Sequence, residues 1–473
     1  MAQASSALAS LERSLRGKVI RDPAIVRLYA REPSGLEGAA EAVVFPESLD
    51  DVRRLVRWAY RTGMAIYPQG SGTSLSGSAI PRPPGVVVSF ERMNRILEES
   101  IVDSYVIVEP GVRIDELNDH LAAKGYMFPV DPASSAVATV GGAVNSGAGG
   151  MRGAKYGTMR DWVLGLELVL ADEDATVVFA GCKTLKCRQG YDLARLIVGS
   201  EGTLALVTKA VLRITPLPEQ VVYALAFYPS LEQVAETVVA IKEAGVQPLI
   251  MEFMDDRTVR IAARAARASV EAEGHMLLVG IDVQREAARR VLDWLVETLR
   301  SHGASKVYTA WTTEEALEKG LFTIRKNLFT AQVMATQERL GGKGRVMVLI
   351  EDIVVPPSRL VEAVRELRRL EEKYGLTMLL GGHIGDGNLH PAVGYDPGNS
   401  EEARRVEEWY HEVMELAVRL GGSVSAEHGI GMLKKKGLKM ELDSRGSGRL
   451  LEIMRSIKRA FDPKGILNPG KVV

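Results

Sequence analysis

Two short glycine-rich motifs contain three of the chain's 7 histidines. The first motif is Gly382-His-Ile-Gly-Asp-Gly-Asn-Leu-His390, and the second is Ser425-Ala-Glu-His-Gly-Ile-Gly431. A looped strand could bring His383 and His390 to one ion, with Glu427 as a carboxylate ligand. Two imidazoles and a carboxylate leave open positions on a divalent metal for substrate oxygens. The alternative is a pair of ordinary hydrogen-bonded histidines in a glycine-rich turn.

A separate segment, Phe322-Thr-Ile-Arg-Lys-Asn-Leu-Phe329, predicts a helix that presents Arg325 on one face. A guanidinium can bind a carboxylate through two parallel hydrogen bonds. Taken alone, an arginine in an amphipathic helix is better explained as a solvated surface charge.

The segment Tyr67-Pro-Gln-Gly-Ser-Gly-Thr-Ser-Leu-Ser-Gly-Ser78 follows a predicted strand. Glycines among small hydroxyl residues let backbone N–H groups converge on a pyrophosphate. The glycine spacing does not match a Rossmann fingerprint, and Ser78 stands where a Walker A loop needs lysine. The alternative is a flexible surface loop.

A second small-residue segment, Val130–Gly150, contains few side chains larger than valine. Backbone there could approach a large flat ligand closely. A packed core crossing would explain the small residues, but it would not explain Asn145 and the hydroxyl groups among them. A third segment, Leu196-Ile-Val-Gly-Ser-Glu-Gly-Thr-Leu204, lies in the turn before a predicted strand.

Alternating strands and helices must position these segments. Helical spacing of apolar residues predicts a helix over Leu49–Tyr60, and Thr215–Pro218 indicates a boundary between domains. A second α+β region follows, and its last predicted strand is Arg345–Val354. Short buried strands are predicted before the boundary at Ala65–Pro68, Val86–Ser89, Tyr105–Glu109, Val163–Leu170 and Leu206–Ile214.

Composition excludes several classes of protein. At 473 residues the chain has room for two or three domains, and 46% hydrophobic with 25% charged residues is typical of globular proteins. Lys plus Arg total 59 against 60 for Asp plus Glu, so there is no basic excess for nucleic acid. The longest apolar stretches are strand-sized, which predicts no membrane span. No signal peptide is evident at Met1–Ser10, so a cytoplasmic location is expected.

The chain has only 2 cysteines, Cys182 and Cys187. We expect two reduced thiols in a loop. A local disulfide is the alternative, as in some intracellular proteins of hyperthermophiles.

Four segments together, Pro68–Gly77, Asp131–Gly150, Gly199–Leu204 and Phe461–Lys471, resemble the vanillyl-alcohol-oxidase-type (PCMH-type) FAD-binding oxidoreductases. Within that family the chain resembles the branch of D-lactate dehydrogenases, the glycolate oxidase D subunit and D-2-hydroxyglutarate dehydrogenase. The resemblance implies an α+β fold. It places a two-subdomain FAD-binding domain at 1–218, a ferredoxin-like cap domain at 219–420, and at 421–473 a C-terminal helical segment that completes the active site.

The resemblance also implies non-covalent FAD, since neither small-residue segment contains a His or Cys that could form a linkage. The pyrophosphate is expected on Gly70–Ser74. The full set of expected cofactor-binding residues is Pro68, Gly70, Ser71, Gly72, Thr73, Ser74, Asp131, Pro132, Thr139, Gly141, Gly142, Asn145, Gly149, Glu201, Gly202, Val207 and Asn468.

In relatives of this branch, the equivalents of His383, His390 and Glu427 bind a divalent metal, with Zn²⁺ or Mn²⁺ expected here. The resemblance further assigns His428 as the catalytic base and Arg325 as the residue that holds the substrate carboxylate. The chain departs from the branch at three places. Relatives often have His-x-Asn where this chain has His390-Pro-Ala392, and some carry Thr and Lys where Phe329 and Ile350 stand. A second acidic group on the substrate is therefore not expected to be bound.

The resulting hypothesis is oxidation of a 2-hydroxy acid, such as D-lactate or glycolate, to the 2-oxo acid by hydride transfer to flavin N5. One alternative is a non-redox flavoenzyme similar to alkylglycerone-phosphate synthase. Another is a flavin-containing subunit of a membrane-associated electron-transfer complex, with an iron–sulfur partner because two cysteines cannot hold a cluster. A quinone, a cytochrome or an iron–sulfur protein as acceptor, a homo-oligomer, and peripheral membrane association through the acceptor all stay open.

Overall fold

Two units make up the chain in the computed structural model, which describes residues 2–188 and 190–473. The first unit holds the residues up to Gly150, Gly157–Leu217 and Glu427–Val473. The second unit holds Met151–Tyr156 and Pro218–Ala426. The first unit is therefore assembled from both ends of the chain.

Helices and strands alternate through most of the chain. The helices are α1 (Ala2–Ser14), α2 (Pro23–Tyr29), α3 (Leu49–Thr62), α4 (Ile114–Ala122), α5 (Val140–Ser146), α6 (Gly153–Tyr156), α7 (Met159–Trp162), α8 (Leu193–Ile197), α9 (Leu231–Glu243), α10 (Asp256–Ala266), α11 (Ala288–Ser301), α12 (Thr313–Glu318), α13 (Thr323–Lys326), α14 (Leu328–Arg339), α15 (Leu360–Tyr374), α16 (Ser400–Arg419), α17 (Lys435–Ser444) and α18 (Arg449–Phe461). The strands are β1 (Lys18–Ile20), β2 (Ala40–Phe45), β3 (Ala65–Gln69), β4 (Gly85–Ser89), β5 (Ile96–Ser100), β6 (Tyr105–Val108), β7 (Tyr126–Met127), β8 (Val163–Val169), β9 (Val177–Gly181), β10 (Leu206–Arg213), β11 (Thr215–Pro216), β12 (Gln220–Tyr228), β13 (Ile250–Met254), β14 (His275–Val283), β15 (Lys306–Ala310), β16 (Met347–Ile350), β17 (Ile353–Val354), β18 (Met378–His383) and β19 (Asn388–Tyr395).

The first unit contains two main sheets. One has the strand order β1-β2-β4-β3, in which β4 pairs parallel with both β2 and β3. The other is antiparallel, with the order β5-β6-β10-β8-β9. One hydrophobic core joins them, because Val44 and Val88 of the first sheet and Leu206 of the second belong to the same buried cluster as Leu55 of α3.

Helix α3 forms where the sequence predicts it, and local chemistry fixes both ends. The Ser48 hydroxyl accepts a hydrogen bond from the Asp51 amide at the N-terminus, and Gly63 ends the helix with a φ of 70°. Asp51 itself is buried and accepts from the backbone amides of Arg16 and Gly17, which ties the N-terminal segment to the helix.

The second unit is built on one eight-stranded antiparallel sheet, with the order β15-β12-β14-β13-β18-β19-β16 and β17 also paired with β19. The prediction of one strand over Arg345–Val354 is wrong. That stretch forms β16 and β17, separated by the buried carboxylates Glu351 and Asp352. Buried charges need partners, and Asp352 accepts hydrogen bonds from the side chains of Asn388 and Ser425.

The prediction of two reduced thiols is also wrong, because Cys182 and Cys187 form a disulfide with their Cα atoms 6.0 Å apart. Within the described ranges, no helix has the length and apolar character needed to cross a membrane.

Candidate functional site

A cleft in the first unit is lined mainly by glycine, serine, threonine and alanine. It lies where the loop after β3 meets the N-terminus of α5. Of the predicted cofactor-binding residues, those on the cleft wall are Pro68, Gly70, Ser71, Gly72, Thr73, Ser74, Pro132, Thr139, Gly142, Asn145, Gly149 and Glu201. Segments far apart in sequence thus form one wall.

The close approach between the loop and α5 depends on glycine. A Cβ atom added to Gly70 would lie 2.4 Å from Thr139 Oγ1 and 3.2 Å from Gly142 Cα. The Thr139 side chain is itself fixed, because its hydroxyl caps α5 by accepting a hydrogen bond from the Gly142 amide at 3.2 Å. No larger residue fits at position 70 without moving the loop or the helix.

The remaining predicted cofactor-binding residues are not on the cleft wall: Asp131, Gly141, Gly202, Val207 and Asn468. Two of them support the wall from behind. The Asn468 amide donates to the backbone oxygens of Ser78, at 2.8 Å, and Glu201, at 2.6 Å. A Cβ atom at Gly202 would lie 2.4 Å from Pro68, so Gly202 packs directly beneath that residue.

The donors and acceptors of the cleft fit a polar flat ligand. Asn145 lines the cleft, and its buried Oδ1 has no hydrogen-bond partner among the described residues. Buried amide oxygens are normally bonded, so this atom is suited to accept from a bound molecule. Together with the small side chains, it makes the cleft compatible with FAD.

Two buried carboxylates hold the glycine-rich segments around the cleft. Glu32 accepts from the amides of Gly77 and Ala79, at the end of the loop after β3. Glu201 accepts from the amides of Ile430 at 2.6 Å and Gly431 at 2.8 Å. The loop and the Glu427–Gly431 turn are therefore fixed by acids distant in sequence.

The Glu427–Gly431 turn directs two predicted functional side chains into the same cleft. Gly429 and Gly431 have φ values of 80° and 50°, which an L side chain rarely adopts. Glu427 and His428 both line the cleft, and His428 Nε2 lies 3.9 Å from Glu427 Oε1. The glycines thus permit adjacent side chains to face the same space.

Burial dominates the electrostatics behind this wall. Burial raises the pKa of Glu201 to about 7, although the amides of Gly431 and Ile430 oppose that rise. Burial also lowers the pKa of Lys471 to about 8, against the attraction of Glu201 and Glu32. Both groups titrate near neutral pH, far from their ordinary values.

The second unit brings His383 and His390 together on paired strands. His383 ends β18, and His390 lies in β19 opposite Gly381. Both side chains are buried, and their ring centroids are 5.2 Å apart. Two imidazoles at this separation have the chemistry of a metal-ligand pair, and the hairpin explains why a spacing of seven residues suits them.

Glu252 connects His383 to Arg325 within the same unit. Its carboxylate is fully buried, and its Oε1 lies 2.6 Å from His383 Nδ1. Arg325 Nε donates to Glu252 Oε2 at 2.7 Å, so Arg325 is largely buried rather than a solvated surface charge. Burial alone would raise the pKa of Glu252, but the charges of His383 and Arg325 outweigh it and hold that pKa below its ordinary value.

Asp352 supports the other side of this cluster. It is fully buried, with Oδ1 4.0 Å from His390 Nδ1 and 2.8 Å from the Asn388 amide nitrogen. Its second oxygen accepts from the Ser425 hydroxyl and the Ala426 amide, each at 3.0 Å. The β19 strand and the segment that precedes Glu427 thus share one anchor.

Sequence reasoning missed Glu252, Asp352 and Glu32. A detectable signal exists for Glu252, because it is the one charged residue in the otherwise apolar run Ile250-Met-Glu-Phe-Met254. An acid in a buried strand needs a partner. Asp352 carries a similar signal, because it follows Glu351 in the otherwise apolar run Val346–Val355. Glu32 carries none, since its partners Gly77 and Ala79 lie in a remote loop.

Comparisons with known proteins agree with this architecture. The family "FAD binding domain" matches residues 40–178, and "FAD linked oxidases, C-terminal domain" matches residues 217–472. The chain is 36% identical to glycolate oxidase subunit GlcD of Bacillus subtilis (strain 168), over 91% of this chain and 88% of that one. It is also 36% identical to a D-lactate dehydrogenase of Archaeoglobus fulgidus, over 91% of each.

The fold is similar to that of a solved p-cresol methylhydroxylase, with a TM-score of 0.80 and 19% identity, over 100% of this chain and 97% of that one. At that identity the likeness shows the fold alone. The α+β fold class and the predicted resemblance are confirmed by these matches.

Replacing Gly70 by alanine should weaken FAD binding. The added methyl group would meet Thr139 at the cleft wall. Overpacking costs typically about 1–3 kcal/mol, so we expect a dissociation constant raised by roughly tenfold or more. Flavin fluorescence on titration of the flavin-free protein measures it. The control is Gly63→Ala at the end of α3, where an added Cβ has open space but the φ of 70° strains alanine, so this variant should lose stability and keep the parent affinity. Equal affinity for Gly70→Ala and the parent would contradict the steric argument.

Glu201 should make the flavin-free protein less stable as the pH rises. Burial raises the pKa of Glu201 from its ordinary 4.5 to about 7 in the folded chain, so the folded state holds an extra proton between these two pH values. The free energy of unfolding should therefore fall from about pH 5 to about pH 7.5, by up to about 3 kcal/mol. Glu201→Gln should flatten this slope. Denaturant unfolding at both pH values tests it, and identical slopes for the two proteins would refute it.

Proposed function

The chain belongs to the FAD-linked oxidase family, and we propose that it oxidises a small 2-hydroxy acid, D-lactate or glycolate in type, to the 2-oxo acid. The observation that carries the proposal is the buried cluster of Arg325, Glu252, His383 and His390 in the second unit. A guanidinium suits a carboxylate, and a pair of imidazoles suits a metal that binds hydroxy-acid oxygens. The names of the glycolate and D-lactate relatives support the same substrate class.

FAD would be held non-covalently on the small-residue cleft of the first unit. The backbone around Gly70–Ser74 would receive the pyrophosphate, with Thr139, Gly142 and Asn145 along the rest of the wall. When bound, FAD supplies the hydride acceptor, N5 of its flavin ring. The chain's part is to bind the cofactor tightly and to keep its reactive face toward the substrate.

A divalent metal, Zn²⁺ or Mn²⁺, would be held by His383, His390 and Glu427. The donor set fits, since imidazole nitrogen and carboxylate oxygen suit either ion. Nδ1 of His383 is engaged by Glu252, so metal binding would use Nε2. A metal held there would supply Lewis-acid polarisation of the substrate's hydroxyl and carboxylate oxygens.

Arg325 would hold the substrate carboxylate. Its Nε is committed to Glu252, so its two terminal nitrogens are the donors that would form the paired bonds. Phe329, half exposed on α14, and Ile350 offer no second charge. A small monocarboxylate is therefore favoured over a diacid.

His428 would accept the hydroxyl proton of the substrate as general base. It lines the cleft of the first unit, on a turn fixed by the Glu201 carboxylate. A base held by a bonded turn keeps its orientation through the reaction. The electrons would then leave to an external acceptor, a quinone, a cytochrome or an iron–sulfur protein.

Anaerobic mixing with single 2-hydroxy acids tests the proposed function. D-lactate or glycolate should bleach the flavin absorbance, whereas L-lactate and D-2-hydroxyglutarate should do so much more slowly. Dialysis against a chelator should abolish bleaching and leave FAD bound, because His383 and His390, two of the three proposed metal ligands, do not line the cofactor cleft. Adding Zn²⁺ or Mn²⁺ back should restore it. A flavin that no 2-hydroxy acid reduces would reject the proposal and favour a non-redox flavoenzyme.

Replacing His428 by asparagine should slow flavin reduction by about 10²–10⁴-fold, the usual contribution of a general base. Metal and FAD contents should stay at the parent level, because the variant removes only the proton acceptor. Stopped-flow flavin absorbance measures the rate. His120→Asn, an exposed histidine of the same unit that bonds Glu99, is the matched control and should react at the parent rate. Parent-rate reduction by His428→Asn with metal bound would show that His428 is not the base.

A further inference from the structure

Glu252 occupies an unusual place for a charged residue. It is the central residue of β13, with no exposed surface, among apolar neighbours on its own strand. The register of the antiparallel pair β13–β18 sets it directly opposite His383. Opposed residues on paired strands have their Cβ atoms about 4.5–5.5 Å apart, so the contact between these two side chains follows from the backbone.

Each oxygen of this carboxylate has a different partner. Oε1 is 2.6 Å from Nδ1 of His383, and Oε2 accepts from Nε of Arg325 at 2.7 Å. The partners come from different elements, since His383 ends β18 and Arg325 lies in the short helix α13. The Glu252 carboxylate thus contacts two side chains that lie in separate elements, far apart in sequence.

We propose that Glu252 is a positioning residue that sets both the metal-binding nitrogen of His383 and the substrate-binding face of Arg325. The assignment rests on the proposed function. Accepting from Nδ1–H fixes the imidazole tautomer that has its lone pair on Nε2, and such carboxylate partners strengthen metal ligands. Accepting from Nε–H fixes the plane of the guanidinium, and with it the direction of the two terminal nitrogens.

The chemistry of the two donors makes glutamate hard to replace. Both partners present N–H groups, so position 252 needs two acceptor oxygens. Glutamine has one acceptor and one NH₂ group, which would face an N–H donor on one side or the other. Glu252→Gln keeps the size of the side chain but can satisfy only one of the two partners.

A second buried carboxylate of the same unit gives a matched control. Glu371, on α15, is buried and bonded by Arg257 and Arg368, and it accepts from the Met378 amide at 2.8 Å. Met378 is the first residue of β18, whereas His383 is its last. Glu371→Gln therefore removes an equally buried, doubly paired charge at the far end of the same strand.

The experiment compares the parent, Glu252→Gln and Glu371→Gln as FAD-loaded full-length proteins. Zn²⁺ and Mn²⁺ affinities are measured by competition with a chelator, and KM and kcat are measured with D-lactate. For Glu252→Gln we expect metal affinity to fall by about 10–100-fold. We also expect KM to rise roughly tenfold or more, since the terminal nitrogens of Arg325 would no longer be directed at the substrate carboxylate. Flavin content should stay near the parent value, and the melting temperature of both variants should fall, because each leaves a guanidinium without its anionic partner. Only Glu252→Gln should lose metal affinity and raise KM, whereas Glu371→Gln should match the parent in both.

Parent metal affinity and parent KM in Glu252→Gln would overturn the assignment, and so would equal losses in Glu371→Gln. If Glu252→Gln does not fold, Glu252→Asp decides, because it keeps both acceptor oxygens but shortens the side chain by one methylene. Lower metal affinity and higher KM at the parent flavin content support the assignment, while parent values of both reject it. A parent that binds no metal and oxidises no 2-hydroxy acid would refute the proposed function itself, and the assignment with it.

Discussion

Buried carboxylates hold the glycine-rich segments of both units in place. Glycine allows backbone to approach closely, but it provides no side chain that could fix a loop. In the first unit Glu32 and Glu201 supply that fixation by accepting from backbone amides. In the second unit Glu252 bonds to the His383 side chain, and Asp352 accepts from the Asn388 side chain and the Ala426 amide. A buried anion must be bonded, so each acid forces a specific set of donors to converge.

This constraint explains which features could be predicted from the sequence. Elements defined by local patterns, such as α3 and the apolar strands β3, β4, β6, β8 and β10, agree with the structure to within one or two residues. The close pair of His383 and His390 also follows from local spacing, because a tight hairpin returns the chain within seven residues. The break between β16 and β17 does not follow, since it depends on where the partners of Asp352 lie.

The anchoring bonds of these acids were not predicted, although Glu201 itself was expected to bind the cofactor, because their partners are remote in sequence. Glu252 and His383 are 131 positions apart, and Glu201 and Ile430 are 229 apart. Neither hydrophobic periodicity nor a motif of fixed spacing reports on contacts of that range. Arg325 was predicted to be functional only through family resemblance. In the structure it is largely buried against Glu252, which excludes the solvated surface charge that the sequence pattern alone favoured.

Stability alone does not account for a charge at position 252. Breaking a buried ion pair is costly, yet replacing all its members by well-packed apolar residues is often neutral or stabilising. An apolar residue at position 252 would suit its same-face neighbours in β13, Ile250 and Met254, both buried. It would, however, leave the N–H groups of Arg325 and His383 to find other partners and other orientations. Burying Glu252 therefore costs free energy, and in return it holds a guanidinium and an imidazole in one fixed relative position. The proposed site for a charged hydroxy acid requires that fixed arrangement.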